Sequence, residues 1–348
     1  MYHYTKHLIN KNASIREALQ KLDELASDAI LFLVDDYNQL LGSFTDGDLR
    51  RGFIKGLGFE NHLSDFIQPN PKYIQQGKYN MKEIIALRER FFTVFPVLNA
   101  QMQIINVVNF RHQKSYLPVD ALIMAGGRGE RLKPLTDTTP KPLLKVGEKP
   151  IIENNIDRLN AYGIDDIWIS VRYLGQQLVD YFQDGSEKAL RISYIWEENA
   201  LGTAGALALV DNFIHDHVLM MNSDLLTDID FEDLYLFLEE QQADFAVACI
   251  PYQVNVPYAV MEIQDKMVVG LKEKPTYTHY SNAGIYLMKK EVIDYIPKNE
   301  TFNATDLMEC LINNNKKVVA YPLVGYWLDI GKHEDFQKAQ QDIKHIKL

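Results

Sequence analysis

The chain has 348 residues, with 36 Lys and Arg against 47 Asp and Glu, so its formal net charge is −11. This length predicts two domains, and the composition, 47% apolar and 24% charged, is that of a globular chain with a large core. The negative charge excludes a general binder of nucleic acid or of anionic membranes, because both classes need a basic surface.

Other sequence features exclude a secreted or membrane-spanning protein. The apolar runs, such as Ala29–Val34, have the length of a strand and not of a membrane span. The first residues contain no apolar core of a secretory signal. Cys249 and Cys310 stand in apolar sequence without metal-ligand spacing. We therefore expect a cytoplasmic protein whose two thiols are buried and reduced, with no disulfide and no zinc site.

The charge is divided unevenly along the chain. Residues 1–118 hold 14 basic and 12 acidic side chains, and residues 119–348 hold 22 and 35. The polar segment Lys114–Pro118 separates the two parts and predicts a domain boundary, giving domains 1–118 and 119–348. Inside the acidic domain, residues 126–149 carry six basic side chains against three acids, which predicts an anion site.

The first domain reads as an imperfect repeat. A capping box at Ser14–Glu17 opens a helix, and strands at Ala29–Val34 and Leu40–Phe44 follow it. The same order returns later in the chain, with a helix start at Asn80 and two further strands at Thr93–Val97 and Ile104–Val108. This repetition predicts a pair of related modules in a small α+β domain.

The segment Gly42–Arg51 resembles the signature of a cystathionine-β-synthase-type (CBS) domain pair. In that family the threonine and aspartate of the motif contact the phosphate and ribose of an adenine nucleotide, and here these positions are Thr45 and Asp48. The second copy has Val108 and Arg111 instead, so half of the motif is missing. Two interpretations stay open: a regulatory adenine-nucleotide site, or a dimerising module whose turn residues serve only the backbone.

The second domain opens with a strand that runs into a glycine-rich loop. The apolar run 119–125 is followed by Gly126–Thr136, a pattern that lets backbone N–H groups approach an anion closely. The loop is neither a Walker A motif nor a dinucleotide-binding fingerprint. Arg131 and Lys141 add the positive charge that a triphosphate requires.

The runs Gly126–Pro134 and Pro140–Leu144 resemble the signature of the sugar-1-phosphate nucleotidyltransferases. This resemblance implies a Rossmann-like α/β fold, with a mostly parallel sheet flanked by helices. It implies that the backbone at Gly126, Gly127 and Gly129 binds the nucleotide, that Arg131 neutralises pyrophosphate, and that Lys141 bridges phosphates. Many members have Ser or Thr where this chain has Glu130. We therefore expect the Glu130 side chain to point away from the phosphates or to pair with a neighbouring Arg or Lys.

Two carboxylates are candidate magnesium ligands. Asp224 ends the apolar strand that starts at His217, and the carboxyl ends of such strands face the ligand crevice. In the resembling family this is the N-G-D position, with Ser223 here in place of glycine. The resemblance supplies the second ligand, Asp329. His333, close to it in sequence, is expected to be a surface residue.

Three further segments match substrate-binding motifs of the same family. The loop Glu198–Leu207, expected to enter a helix, would line the base pocket through Gly202 and Thr203. In Leu271–Pro275, the resemblance assigns Lys274 to the sugar phosphate and Glu273 to a sugar hydroxyl. Asn282 and Gly284 match the next sugar-contacting strand.

The resemblance therefore implies a Mg²⁺-dependent nucleotidyltransferase that uses an NTP and a sugar 1-phosphate. The form of the base loop favours GTP, and the added CBS-like pair resembles enzymes that supply GDP-amino sugars, such as GDP-glucosamine, for legionaminic acid. Transfer of CMP, dTMP or UMP, and mannose or heptose phosphates as acceptors, stay open, as does a non-catalytic nucleotide sensor. We expect a homo-oligomer.

Overall fold

A computed structural model describes residues 4–346, which divide into two compact units. The first is built mainly from residues up to Leu117, and the second mainly from Pro118 onward. Among the described residues, no helix is both long and apolar enough to cross a membrane.

In its described part, the first unit contains three α-helices and six strands. The helices are α1 (Ile15–Leu25), α2 (Asp46–Ile54) and α3 (Met81–Glu89). The strands are β1 (Leu8–Asn10), β2 (Leu31–Val34), β3 (Leu40–Phe44), β4 (Ile74–Gln75), β5 (Val94–Leu98) and β6 (Ile104–Asn109).

The six strands form two small sheets with the same topology. In the order β1-β2-β3 the first pair is parallel and the second antiparallel, and β4-β5-β6 repeats this arrangement. The helix starts predicted at Ser14 and Asn80 are confirmed, since the Ser14 hydroxyl accepts from Glu17 N at 3.1 Å and Asn80 Oδ1 accepts from Lys82 N at 2.9 Å. The internal repeat in the sequence is thus a repeat of structure.

As far as residue 346, where the described part ends, the second unit contains thirteen strands and five α-helices. The strands are β7 (Val119–Met124), β8 (Lys145–Val146), β9 (Lys149–Pro150), β10 (Asp166–Val171), β11 (Arg191–Trp196), β12 (His217–Asn222), β13 (Leu225–Thr227), β14 (Phe245–Asn255), β15 (Val260–Gln264), β16 (Met267–Lys272), β17 (Thr276–Lys289), β18 (Val318–Pro322) and β19 (Trp327–Asp329). The helices are α4 (Ile151–Ala161), α5 (Gly175–Phe182), α6 (Phe231–Glu240), α7 (Ala304–Asn313) and α8 (His333–Asp342).

A seven-stranded sheet in the order β11-β10-β7-β12-β17-β14-β18 organises this unit. Only β17 runs against its neighbours, so the predicted α/β fold with a mostly parallel sheet is confirmed. Strand β7 is buried along nearly its whole length, which explains why its residues other than Asp120 are apolar. The chain leaves β7 to form β10 on one side and later β12 on the other. A ligand crevice is expected at the carboxyl end of β7, where the strand order reverses.

The cysteine prediction is confirmed in part. Both thiols are free, and Cys249 on β14 is buried. Cys310 is only half-buried, so its expected burial is wrong. It lies near the C-terminal end of α7, in an amphipathic helix with one face toward solvent.

A cluster of titratable groups lies at the amino end of the central strands, the end opposite the glycine-rich loop. Asp120 on β7 accepts hydrogen bonds from the backbone and ring of His215, and the Arg191 side chain pairs with Asp166. The ligand atoms of Asp120, Asp166 and His215 lie within 4.8 Å of one another. Burial, followed by the neighbouring Asp166, raises the pKa of Asp165 to about 6. This cluster lies apart from both predicted magnesium ligands.

The raised pKa of Asp165 predicts a stability that depends on pH. A carboxyl whose pKa is higher in the folded chain stabilises the fold while it is protonated, and this contribution is lost as pH rises from about 4 to about 6. We expect Asp165→Asn, which stays neutral, to gain about 2 kcal/mol over the wild type between pH 4 and pH 7. Thermal unfolding of both proteins across this range measures the difference. A difference that does not change with pH would contradict the assignment.

Candidate active site

The glycine-rich loop leaves β7 at the point where the strand order reverses. A Cβ atom on Gly126 would lie 3.0 Å from Glu197 Oε1, and one on Gly129 would lie 3.0 Å from the Cβ of Lys141. Gly129 also has a φ of +62°, which favours glycine. A Cβ on Gly127 would meet nothing within 4 Å, so packing within this chain does not require that glycine.

The amides of this loop are available to a ligand. Within residues 4–346, the N–H groups of Gly126–Gly129 donate no hydrogen bond to the protein. Successive unpaired amides at a turn form a concave site for an anion. The loop therefore has the chemistry of a phosphate cradle, as its sequence predicts.

The loop continues into a short 3-10 helix, Glu130–Leu132. Glu130 is exposed and forms no ion pair among the described residues, so its carboxylate faces solvent. The guanidinium of Arg131 packs against Gly331, where a Cβ would lie 3.3 Å from Arg131 Nη2. Because Gly331 is two residues after Asp329, this contact places Arg131 beside the segment that contains Asp329.

Strand pairing brings the two predicted magnesium ligands together. Strand β13 begins directly after Asp224 and pairs antiparallel with β19, in a register that sets Leu225 opposite Asp329. Ile330 N also donates to Asp224 O at 3.1 Å. Two acids that are distant in sequence thus become neighbours at the carboxyl end of β12.

Lys141 lies between these acids. Its Nζ donates to Asp224 Oδ2 and lies 4.0 Å from Asp329 Oδ1. The lysine side chain is 13% exposed and that of Asp224 is 17% exposed, so the pair is largely shielded from water. The ammonium group offsets the repulsion between two carboxylates held at close range.

The Asp329 carboxylate is only partly neutralised by its surroundings. Burial, and then the nearby Asp224 carboxylate, raise the pKa of Asp329, while Lys141 and Arg131 act in the opposite direction. Its Oδ1 is buried and has no hydrogen-bond partner within residues 4–346. Such an oxygen beside a second carboxylate fits Mg²⁺, a hard cation that prefers oxygen ligands.

The loop that contains Gly202 and Thr203 is anchored on the segment before α7. Phe302 N donates to Leu201 O at 2.9 Å, and Ala204 N donates to Phe302 O at 2.9 Å. Gly202 has a φ of +77°, and a Cβ there would lie 2.7 Å from Phe302 O. The Thr203 hydroxyl accepts from Ala304 N at 2.9 Å, so this side chain helps to cap α7. The expected helix after the loop is a short 3-10 helix, because its small residues pack closely against the Phe302 segment.

Glu197 is a candidate site residue that the sequence reasoning missed. Its carboxylate accepts from the Ser170 hydroxyl and, at 3.1 Å, from Leu201 N. These two bonds hold it against Gly126 at the carboxyl end of β11. The available signal was an acid directly after an apolar strand, the same signal that identified Asp224.

The residues that the resemblance assigns to the sugar phosphate lie in two separate places. Asn282 Oδ1 accepts from Gly284 N at 2.9 Å, and Gly284, with a φ of +72°, would place a Cβ 2.6 Å from the Asn222 side-chain nitrogen. These residues therefore lie at the end of β12, next to the acids. Glu273 and Lys274 are exposed and form no hydrogen bond or ion pair within residues 4–346, so the structure does not bring them to the acids.

In the first unit, Thr45 and Asp48 form the capping box of α2. Asp48 N donates to the Thr45 hydroxyl at 3.3 Å, and Thr45 N donates to Asp48 Oδ2 at 2.9 Å. Arg51 donates to the other oxygen of Asp48 at 2.6 Å. Arg111, at the matching position of the repeat, instead pairs with Asp28 at 3.0 Å. Burial opposes the change, but hydrogen bonds from Asn109, His112 and Arg111 together lower the pKa of Asp28. Thr45 and Asp48 thus have a structural role, since they cap the start of α2.

Comparison with known proteins supports the sequence resemblance. A mannose-1-phosphate guanyltransferase of Schizosaccharomyces pombe is 31% identical over 225 residues, 62% of each chain. A UTP–glucose-1-phosphate uridylyltransferase of Synechocystis is 29% identical over 253 residues, 66% of this chain and 65% of that protein. The chain thus matches somewhat less than two thirds of the length of these relatives.

A solved structure from Bacillus anthracis, assigned as a glucose-1-phosphate thymidylyltransferase in complex with a sucrose, aligns with a TM-score of 0.54 and 26% identity. The alignment covers 66% of this chain and 97% of that one. Residues 120–346 match the family described as nucleotidyl transferase, and this range includes the glycine-rich loop, both acids and Lys141. The chain therefore belongs to the nucleotidyl transferase family.

Proposed function

We propose that the chain transfers a nucleotidyl group from an NTP to a sugar 1-phosphate, forming a nucleotide sugar and pyrophosphate. The observation that carries this proposal is the Asp224–Lys141–Asp329 cluster, in which Lys141 and Asp224 are largely shielded from water, beside a loop of unpaired amides. The family match and the names of the relatives point to the same reaction class.

The reaction needs no activated side-chain nucleophile, because the sugar phosphate already carries an anionic oxygen. This oxygen attacks the α-phosphorus in line and forms a new P–O bond. The bond from the α-phosphorus to the bridging oxygen breaks, and pyrophosphate leaves with the electron pair. The protein contributes by positioning both substrates and by neutralising charge.

The chain's own residues have distinct parts in this scheme. The Gly126–Gly129 amides would hold the triphosphate, Arg131 would face the leaving pyrophosphate, and Lys141 would contact the phosphates at the reacting end. Asp224 and Asp329 would hold Mg²⁺, which would supply positive charge to the reacting phosphates. Glu273, Lys274 and Asn282 would receive the sugar phosphate, as the resemblance implies.

We propose GTP as the nucleotide substrate, and Glu197 is the main support. A carboxylate only accepts hydrogen bonds. Guanine presents two adjacent donors, N1–H and N2–H₂, on one edge, whereas uracil and thymine present a single N–H between two carbonyl oxygens. A fixed carboxylate beside Gly126 therefore matches guanine and repels the other two bases.

For the sugar, we propose an amino sugar 1-phosphate such as glucosamine 1-phosphate. The support is the resemblance of the two-part chain to enzymes that supply GDP-amino sugars. Mannose 1-phosphate is the competing acceptor, since the guanyltransferase relative is named for it. A regulatory adenine nucleotide at Thr45 and Asp48 stays a prediction. The structural alternative is supported because one Asp48 oxygen takes part in the helix cap and the other accepts from Arg51.

A substrate panel tests the proposed function. Purified protein with Mg²⁺ is supplied with each of GTP, UTP, dTTP and CTP and with glucosamine, mannose or glucose 1-phosphate, and pyrophosphate release is measured. We expect GTP to give the highest kcat/KM, with an amino sugar phosphate as the better acceptor. A preference for UTP, dTTP or CTP would contradict the guanine assignment, and no pyrophosphate with any pair would contradict the reaction.

The substitution Glu197→Gln tests the base assignment. The amide can keep both structural partners, since its oxygen accepts from Leu201 N and the Ser170 hydroxyl can accept from its nitrogen. The glutamine side chain would, however, lack the negative charge that strengthens hydrogen bonds from the two guanine donors. We expect kcat/KM for GTP to fall by about 10- to 100-fold, the worth of a charged hydrogen bond, while the value for UTP rises.

The exposed Glu309 on α7 provides the control for the same change of charge. Glu309→Gln is expected to leave the rates with both nucleotides unchanged. If Glu197→Gln lowered GTP and UTP rates equally, Glu197 would position the loop and would not select the base.

A further inference from the structure

Arg172 is a charged residue at the edge of the crevice that the proposed function does not use. It follows directly after the last residue of β10, and β10 lies between β7 and β11 in the central sheet. The three strands are parallel, so their carboxyl ends meet at one edge. Strand β7 leads into Gly126 and β11 leads into Glu197. Arg172 therefore stands at the middle one of three adjacent strand ends.

Arg172 and Glu197 border the same point of the glycine-rich loop. A Cβ on Gly126 would lie 3.5 Å from the Cβ of Arg172 and 3.0 Å from Glu197 Oε1. Gly126 also begins the run of amides that donate no hydrogen bond to the described part of the chain. A nucleotide bound by these amides would thus have two side chains of opposite charge close to it.

The guanidinium of Arg172 is available to a ligand. The residue is half-buried, and within residues 4–346 its side chain forms no hydrogen bond and no ion pair. The Glu197 oxygens accept from the Ser170 hydroxyl and from Leu201 N instead. A guanidinium has several N–H donors in a planar fork, which binds best to two acceptors that lie side by side.

The cations proposed to bind the reacting phosphates lie at the other end of the loop. Lys141 packs against Gly129, where a Cβ would lie 3.0 Å from the Lys141 Cβ, and its Nζ donates to Asp224. Arg172 instead lies at Gly126, with the carboxylate proposed to bind the base. Its position therefore favours a contact with the base over one with the reacting phosphates.

A single carboxylate does not by itself select guanine. Cytosine and adenine each carry an amino group that can also donate to a carboxylate. Guanine differs because its donors, N1–H and N2–H₂, adjoin two acceptors, O6 and N7. Adenine has an amino group where guanine has O6, and cytosine has no N7. A second side chain that donates to O6 and N7 would therefore complete the selection.

We propose that Arg172 is this second base-selecting residue, donating to guanine O6 and N7 while Glu197 accepts from N1–H and N2–H₂. The inference rests on the proposed function, because it requires GTP as the nucleotide. Arginine paired with O6 and N7 is the commonest specific contact of a protein with guanine in nucleic acids. The two charges together match guanine and leave every other base with at least one mismatched group.

The test uses nucleotides that lack one group of guanine. In 7-deaza-GTP the N7 acceptor is replaced by C–H, whereas inosine triphosphate lacks the N2 amino group and keeps O6 and N7. Pyrophosphate release gives kcat/KM for each, with Mg²⁺ and one sugar 1-phosphate in excess. Arg172→Met removes the guanidinium, and Arg172→Lys keeps the charge without the planar fork. Arg16→Met, at an exposed position of α1, is the matched control, and thermal unfolding checks that all variants are folded.

We expect the wild type to use 7-deaza-GTP about 10-fold less well than GTP, the worth of one hydrogen bond to a charged group. In Arg172→Met, kcat/KM for GTP should fall by roughly 10- to 100-fold, the worth of a bidentate contact. Its preference for GTP over 7-deaza-GTP should disappear, while its preference for GTP over inosine triphosphate should stay, since Glu197 is intact. Arg172→Lys should recover part of the GTP rate, and Arg16→Met should match the wild type.

Two results would overturn this inference and leave the proposed function standing. One is a wild type that uses 7-deaza-GTP as well as GTP, a comparison that needs no variant. The other is an Arg172→Met variant that loses the same factor with GTP, 7-deaza-GTP and CTP, because Arg172 would then bind the ribose or the phosphates. A wild type that prefers another nucleotide to GTP would instead refute the GTP assignment, and this inference with it.

Discussion

The antiparallel pairing of β13 with β19 is the constraint on which the candidate site depends. It places Asp329 beside Asp224, and a single lysine, Lys141, lies between them. Partial burial of Asp329, and then the repulsion from the neighbouring Asp224 carboxylate, raise the pKa of Asp329. Lys141 offsets part of that repulsion. In the described part of the chain, the buried Oδ1 of Asp329 still lacks a hydrogen-bond partner, and a divalent cation would satisfy this oxygen.

The other parts of the site are arranged around this pair by the central sheet. The crevice at the end of β7 holds the glycine-rich loop, and Gly129 packs directly against Lys141. Asn222 at the end of β12 reaches Gly284 on the neighbouring strand. The negative charge of the whole chain therefore says little about the site, where unpaired amides, Lys141 and Arg131 make the surroundings suitable for phosphates. The cluster of Asp120, Asp166 and His215 lies at the opposite end of the sheet, and we expect the neighbouring Asp165 to affect the stability of the fold and not the site.

Much of the site could be predicted from local sequence. Three features depend only on residues that are close in sequence: the glycine-rich loop, the strand that ends at Asp224, and the helix caps at Ser14 and Asn80. Their patterns can therefore be interpreted before the fold is known. The position of Asp329 beside Asp224 could not be derived this way, because it depends on the register of two short strands far apart in sequence. Glu197 was missed for a related reason, since its importance comes from its approach to Gly126 in space. At Thr45 and Asp48 a short motif fits both a ligand site and a helix cap, and only the hydrogen bonds distinguish the cap.

Metal binding by the acid pair tests the central claim most directly. Mn²⁺ can replace Mg²⁺ and is counted by electron paramagnetic resonance, here with a non-hydrolysable GTP analogue present. We predict one site per chain in the wild type, and binding weakened by at least ~100-fold in Asp224→Asn or Asp329→Asn, since each loses a ligand oxygen and its charge. Asp137→Asn, an exposed acid of the same loop region, should bind like the wild type. Full binding by both acid variants would contradict the claim that this pair holds the metal.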